Sequence, residues 1–244
     1  MKWGTFGIVH ISTLVVAALA VIGLYFLLKR LSSKKQTWIL GILSFSGISA
    51  ILFNLLAWNS PWEYLPLHLC SLNAMVLPFV VFTRNKTWGN VLLLWSLGAL
   101  CAVVLNHGQA DFTLCSWTFL FYFIPHVLEF AIPILLIKLK LVEKDHRCIP
   151  STLAITLGMF TLVHMANKLL NLYFAANQIT SSTGDLLQVN YMYTISPDNP
   201  LLALFYNVIS KEYWYLYMAL PVILIYLLIV YAPQLIKAIK ARKR

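Results

Sequence analysis

The residues best equipped for chemistry lie in one short stretch, Leu65-Pro66-Leu67-His68-Leu69-Cys70-Ser71-Leu72-Asn73. It offers an imidazole, a thiol and an amide just after a proline suited to a first helical turn. A thiol near a helix N-terminus is biased electrostatically towards thiolate. A histidine from elsewhere in the fold can deprotonate such a thiol, and a carboxylate can hold that histidine's tautomer. Cys70, His126 and Glu129 fit these three roles, with His68 as a competing base. By residue type alone, a membrane cysteine is more often inert packing than a nucleophile.

Other chemistries fit less well. The four cysteines, Cys70, Cys101, Cys115 and Cys148, form neither a zinc-like pair nor a disulfide framework. The six histidines are scattered, with no H-E-x-x-H or H-x-x-E-H spacing. No metal and no cofactor is expected.

The elements that position these groups are apolar. The chain has 244 residues, of which 60% are hydrophobic and 11% charged, and its mean hydropathy is +0.79. That composition belongs to polytopic membrane proteins. About 20 apolar residues cross the hydrocarbon core. The sequence predicts an all-α integral membrane protein, one compact bundle of seven transmembrane helices filling residues 1–244. The expected spans are residues 8–28, 38–57, 66–82, 88–105, 115–137, 151–174 and 213–231. The polar segment 175–200 is too long for a simple turn and is expected to fold over the outer mouth. A signal peptide is a poorer reading of the first run, which ends at Lys29-Arg30 without a convincing cleavage site.

The formal charge of +10 lies in short runs between apolar segments, so it argues for membrane anchoring and against nucleic-acid binding. Alternate loops carry four, two, four and five of the eighteen basic residues. The opposite side carries Lys2 and Lys211, and Lys168 lies within a span. The positive-inside rule then places the N-terminus outside and the C-terminus in the cytoplasm.

With that orientation, Cys70 lies ~8 Å below the outer surface and Asn73 one turn deeper on the same face, while His126 lies ~16 Å in. His68, two residues from Cys70, points elsewhere. Glu129 is three residues from His126 and is placed to orient or charge the ring. Pro125 and Pro133 interrupt the fifth span and open backbone groups beside it. The sixth span carries His164, Asn167, Lys168 and Asn171 at i, i+3, i+4 and i+7, a polar stripe. Asn106, His107, Asn190 and Tyr191 approach the same level. Interhelical hydrogen bonding accounts for any one of these residues. Taken together they predict an outward-opening polar cavity.

Three motifs occur in a fixed order: Leu65-Pro66-Leu67-His68-Leu69-Cys70, Phe121-Tyr122-Phe123-Ile124-Pro125-His126, and Asn190-Tyr191-Met192-Tyr193 followed by Pro197 or Pro200. In this the chain resembles the YwaF / transmembrane protein 164 family of multi-helix membrane proteins, over about residues 37 to 230. The eukaryotic branch of that family is known for phospholipid acyltransferase activity relying on a cysteine and a histidine. By motif position the resemblance implies Cys70 and His126 in those roles. Ser71 departs from the pattern, standing where an acidic residue is common, as does Lys211-Glu212-Tyr213-Trp214-Tyr215 at the final span.

The expected function is therefore a membrane-embedded lipid acyltransferase, or a lipid hydrolase if water is the acceptor. Cys70 is the expected nucleophile, His126 the base, and Asn73 or Asn190 the oxyanion donor. Its expected partners are membrane lipids, a phospholipid donor and a lysolipid acceptor, in a bacterial plasma membrane. The alternative is a small-molecule or proton-coupled transporter or binding protein that uses the same cavity, with Lys168 and His126 as its charged groups. No inverted repeat supports a transporter.

Overall fold

The computed structural model describes residues 1–57, 61–105, 108–181, 183–198 and 200–242. Its helices are α1 (Ile8–Lys29), α2 (Ser33–Ser44), α3 (Ser46–Ala57), α4 (Leu69–Thr83), α5 (Lys86–Leu105), α6 (Trp117–Lys138), α7 (Ile149–Ala176), α8 (Pro200–Val208) and α9 (Leu220–Arg242). Among the described residues there is no strand, only two isolated bridges, Lys2 with Thr113 and Thr180 with Leu186.

Six segments are long and apolar enough to cross a membrane: Ile8–Lys29, Ser33–Ala57, Lys86–Leu105, Trp117–Lys138, His146–Ala176 and Trp214–Ala241. The expected third span, residues 66–82, is instead the 15-residue α4. At 1.5 Å per residue it is about 22 Å long, short of a ~30 Å hydrocarbon core. The expected second span is two helices joined at Phe45. A short apolar helix, α8, follows the long polar segment, between the expected sixth and seventh spans.

The chain divides into two compact units. The first comprises Met1–Ala57 and Leu69–Lys144. In it α5 packs on α6 and α4, while α3 packs on α6 and α4. Every residue of α5 from Gly89 to Ser96 is buried, as suits a helix apolar all round. Leu77, Val80, Val81, Ile132, Leu135 and Leu136 complete this core. By contrast, α1 buries only His10 and Leu28 and exposes Val16, Leu19 and Ile22, the face of a helix that lipid covers.

The second unit comprises Trp58–His68 and Asp145–Arg244. Here α7 packs on the short helical turn Tyr191–Tyr193, and both α8 and α9 pack on the turn Trp214–Ala219. Asp145 caps the turn that leads into α7 by accepting from the Arg147 N–H at 2.9 Å.

Candidate functional site

In the first unit, α4 and α6 bring four of the expected site residues together. Two residues, Arg84 and Asn85, connect α4 to α5, so these two helices run antiparallel; α5 is joined in turn to α6 and packs along it. The helices α4 and α6 therefore run in the same direction. Asn73 is fully buried on α4, and its amide Nδ2 approaches the Glu129 backbone carbonyl on α6 at 3.5 Å. That carbonyl needs an outside donor, because the residue four positions on is Pro133, which has no N–H. Cys70 and His126 each lie three residues before this contact, on the two parallel helices. The contact thereby sets Cys70 and His126 at similar depth, which the separate helix starts did not suggest.

The Glu129 carboxyl lies within electrostatic reach of both His126 and Cys70. Glu129 is 3% exposed, and its Oε2 has no hydrogen-bond partner among the described residues. The same holds for Asn73 Oδ1. Gly47 on α3 makes room for this group: a Cβ there would lie 2.8 Å from Glu129 Oε1 and 2.5 Å from the Ala74 Cβ. Any larger residue at position 47 pushes α3 away from α4 or displaces the carboxyl.

His126 is held in one tautomer. Its Nδ1 lies 2.7 Å from the Tyr122 carbonyl, one turn earlier. A carbonyl only accepts, so Nδ1 carries the hydrogen and Nε2 keeps the basic lone pair. The Tyr122 ring packs against the imidazole at 4.4 Å, and its hydroxyl donates to the Ala102 carbonyl at 2.9 Å. The N-terminal segment supports this aromatic run. Trp3, 1% exposed, packs edge-on to Phe119, Tyr122 and Phe123. It is fixed by its backbone N–H to Phe112 and by its indole N–H to Thr13, both at 2.8 Å. His10, beside it, bonds through Nε2 to the Val103 carbonyl at 2.8 Å.

The second unit holds the other described candidates, and there nearly every polar group has a partner. Asn171 bonds the Val189 backbone twice, accepting from its N–H at 2.7 Å and donating to its carbonyl at 2.9 Å. Asn167 does the same to Tyr191, at 3.0 and 2.8 Å. Four residues along a helix advance about 6 Å, and two residues of extended chain advance about 6.6 Å. Two asparagines at i and i+4 therefore match the repeat of an extended segment running antiparallel to the helix. Asn167 and His164 also bond Thr194 Oγ1, at 2.9 and 3.2 Å. Asn190 closes a local turn: Oδ1 accepts from the Ile195 N–H, and Nδ2 donates to the Ser196 carbonyl.

His68 accepts from the Met192 N–H at Nδ1, 3.3 Å away, and packs between the rings of Tyr191 and Tyr193. The Tyr191 hydroxyl donates to the Trp62 carbonyl, and burial pushes its phenol up to about 12, so it stays a donor. Lys168 pairs with Glu212 at 2.8 Å, both side chains being about half exposed. Asn106 and His107 lie outside the described residues.

The structure thus brings Cys70, Asn73, His126 and Glu129 together in one unit, and His68, His164, Asn167, Asn171, Asn190 and Tyr191 in the other. Gly47, Tyr122 and Thr194 were not anticipated. Tyr122 and Pro133 stand one turn before His126 and one turn after Glu129, a spacing that carried the signal. So did the alternation Leu187-Gln188-Val189-Asn190-Tyr191, whose period of two marks extended chain. All four cysteines are free, and among the described residues no three His, Cys, Asp or Glu side chains converge on a metal-sized site.

No curated protein and no solved structure matches this sequence. The TMEM164 family matches residues 5–231, most of the chain. This chain, a membrane protein rich in long apolar helices, belongs to the TMEM164 family.

Proposed function

We propose that this protein is a membrane-embedded lipid acyltransferase working by a ping-pong route. The observation that carries the proposal is the pairing of Cys70 with Asn73 on α4 and of His126 with Glu129 on α6, joined by the Asn73–Glu129 contact. His126 adds a free Nε2 lone pair, because Nδ1 is committed to Tyr122.

In the first half-reaction the Cys70 sulfur attacks the acyl carbonyl of a phospholipid, and His126 Nε2 takes up the thiol proton. The carbon–oxygen bond to the glycerol breaks, and the leaving oxygen receives that proton. In the second half, His126 deprotonates the hydroxyl of a lysolipid, which attacks the thioester and frees the thiol. Asn73, three residues along α4 from Cys70, supplies the amide donor for the developing oxyanion. With water as acceptor the same steps give a hydrolase. The basic loops support an outside N-terminus and a cytoplasmic C-terminus, with α4 as a seventh, short membrane helix opening to the outer leaflet.

The test is acyl transfer from a labelled phospholipid to a lysolipid in proteoliposomes. Wild-type protein should carry the label on Cys70 as a hydroxylamine-sensitive thioester, and Cys70→Ala should lose both thioester and transfer. Full transfer by Cys70→Ala overturns the mechanism. The buried, unpaired Glu129 favours one second reading, proton-coupled binding of a solute. Proton uptake driven by a solute gradient in Cys70→Ala vesicles would select it.

A further inference from the structure

Glu129 has a place in the site that orienting His126 does not explain. A carboxyl group whose only task is to orient an imidazole donates or accepts one bond and has its other oxygen satisfied nearby. Glu129 instead leaves Oε2 without a partner while 3% exposed, in a bundle where the neighbouring Asn73 Oδ1 is also unpartnered. Both orphans are acceptors, so what the cluster lacks is a donor. A carboxylic acid O–H is such a donor, and a neutral acid removes the cost of an isolated charge in an apolar bundle. Its carboxyl also lies within electrostatic range of both the thiol and the imidazole.

We infer that Glu129 is a proton relay between Cys70 and His126, holding a proton at rest and passing one on when the thiol ionises. The step balances within the protein. The Cys70 S–H bond breaks and its proton joins one Glu129 oxygen. The proton on the other oxygen leaves for His126 Nε2. The products are a thiolate, a neutral carboxylic acid and an imidazolium. The imidazolium gives its proton to the leaving oxygen. In the second half-reaction His126 takes the proton of the acceptor hydroxyl, and the reverse transfer through Glu129 returns a proton to the released thiolate. No oxidant, metal or co-reactant enters.

The surroundings suit this role. The α3 helix meets the carboxyl with Gly47 and contributes no titratable side chain. On the other helices packed against α6, the titratable groups besides Cys70 are His10, Tyr25 and Lys29 on α1, Lys34 and Lys35 on α2, and Lys86 and Cys101 on α5. His10 is committed at both ring nitrogens, to Phe6 and Val103. Tyr122 on α6 itself donates its hydroxyl to Ala102.

This inference rests on Cys70 and His126 acting together, but its test needs no lipid substrate. The full chain, with Cys101, Cys115 and Cys148 replaced by serine, is placed in phosphatidylcholine nanodiscs. The rate of alkylation of Cys70 by iodoacetamide is followed from pH 5 to 10. Wild type should react at pH 7, because the relay takes up the thiol proton as Cys70 ionises. Glu129→Gln, which keeps the size and hydrogen-bonding reach of the side chain, should lower the rate at pH 7 at least tenfold and move the profile to higher pH. His126→Asn should do the same, and the double variant should be no slower than either. Glu129→Asp should recover part of the loss. A Glu129→Gln profile that superimposes on wild type overturns the relay, and so do additive losses in the double variant or a Cys70 that does not react at any pH. Should the relay profile appear while no lipid thioester forms, the acyltransferase reading fails and the relay stands.

Discussion

Two polar clusters of similar composition are built to opposite ends. On α7, Asn167 and Asn171 spend both ends of their amides on the backbone of Val189 and Tyr191. Between α4 and α6, Asn73 and Glu129 share one long contact and leave an oxygen each without a donor. Sequence alone gave the two sets the same meaning, polar residues facing a cavity. The difference teaches that a buried amide with every valence filled is holding backbone in place. A buried acid and amide with valences open, beside a thiol and an imidazole, are kept at a cost in stability that a reaction can justify.

The comparison breaks most directly through activity. Cys70→Ala and His126→Asn should abolish acyl transfer, a loss of several orders of magnitude, while leaving the unfolding midpoint unchanged. Asn171→Ala should leave transfer measurable in protein that remains folded. The comparison fails if Asn171→Ala is as inactive as Cys70→Ala in folded samples.

Stability gives the next largest effect. Asn167→Leu removes three hydrogen bonds and strands the buried N–H and carbonyl of Tyr191. Each stranded group costs about 1–3 kcal/mol, so the variant should lose on the order of 3 kcal/mol in reversible denaturant unfolding. A loss below about 1 kcal/mol would mean that the ladder does not hold the 187–194 segment.

The apolar runs made the helices legible, because burial in lipid or protein demands an 18-residue apolar stretch whatever the partners are. The stripe of His164, Asn167, Lys168 and Asn171 was equally legible as a stripe. Its purpose was not, since that depends on the docking of residues 187–194, which are distant in sequence and docked through their backbone. The start of α4 was misplaced by three residues for a similar reason. Pro66 is compatible with a first helical turn, but His68 bonds the Met192 N–H and sits ahead of the helix. Within the site, helix phase puts Cys70 and Asn73 on one face of α4 and His126 and Glu129 on one face of α6. It gave no register between the two helices, which the Asn73 contact to the carbonyl freed by Pro133 supplies.

A smaller effect of opposite sign sharpens the contrast. Glu129→Leu deletes an orphaned buried carboxyl and fills its space with a side chain of similar volume. Such replacements are neutral or stabilising by about 1 kcal/mol or more. Transfer should fall in the same variant. If Glu129→Leu instead loses as much stability as Asn167→Leu, the Glu129 carboxyl is satisfied in the folded protein and the two clusters are alike.

The smallest effect concerns the outer member of the α7 stripe. Lys168 shares the helix face of Asn167 and Asn171 but pairs with Glu212 at 2.8 Å, with the two side chains 52% and 44% exposed. Solvent screens such a pair, and holding two long side chains in one geometry costs entropy, so exposed pairs contribute about 0–1 kcal/mol. Lys168→Ala should therefore shift the unfolding midpoint only slightly. The shift should also vanish at about 1 M salt, where the screening length falls to about 3 Å. The loss in Asn167→Leu should be the same at both salt concentrations, because its partners are buried backbone groups. A salt-independent loss in Lys168→Ala would show that the stripe acts as one structural unit. The boundary between filled and open valences would then fall elsewhere than between α7 and the α4–α6 pair.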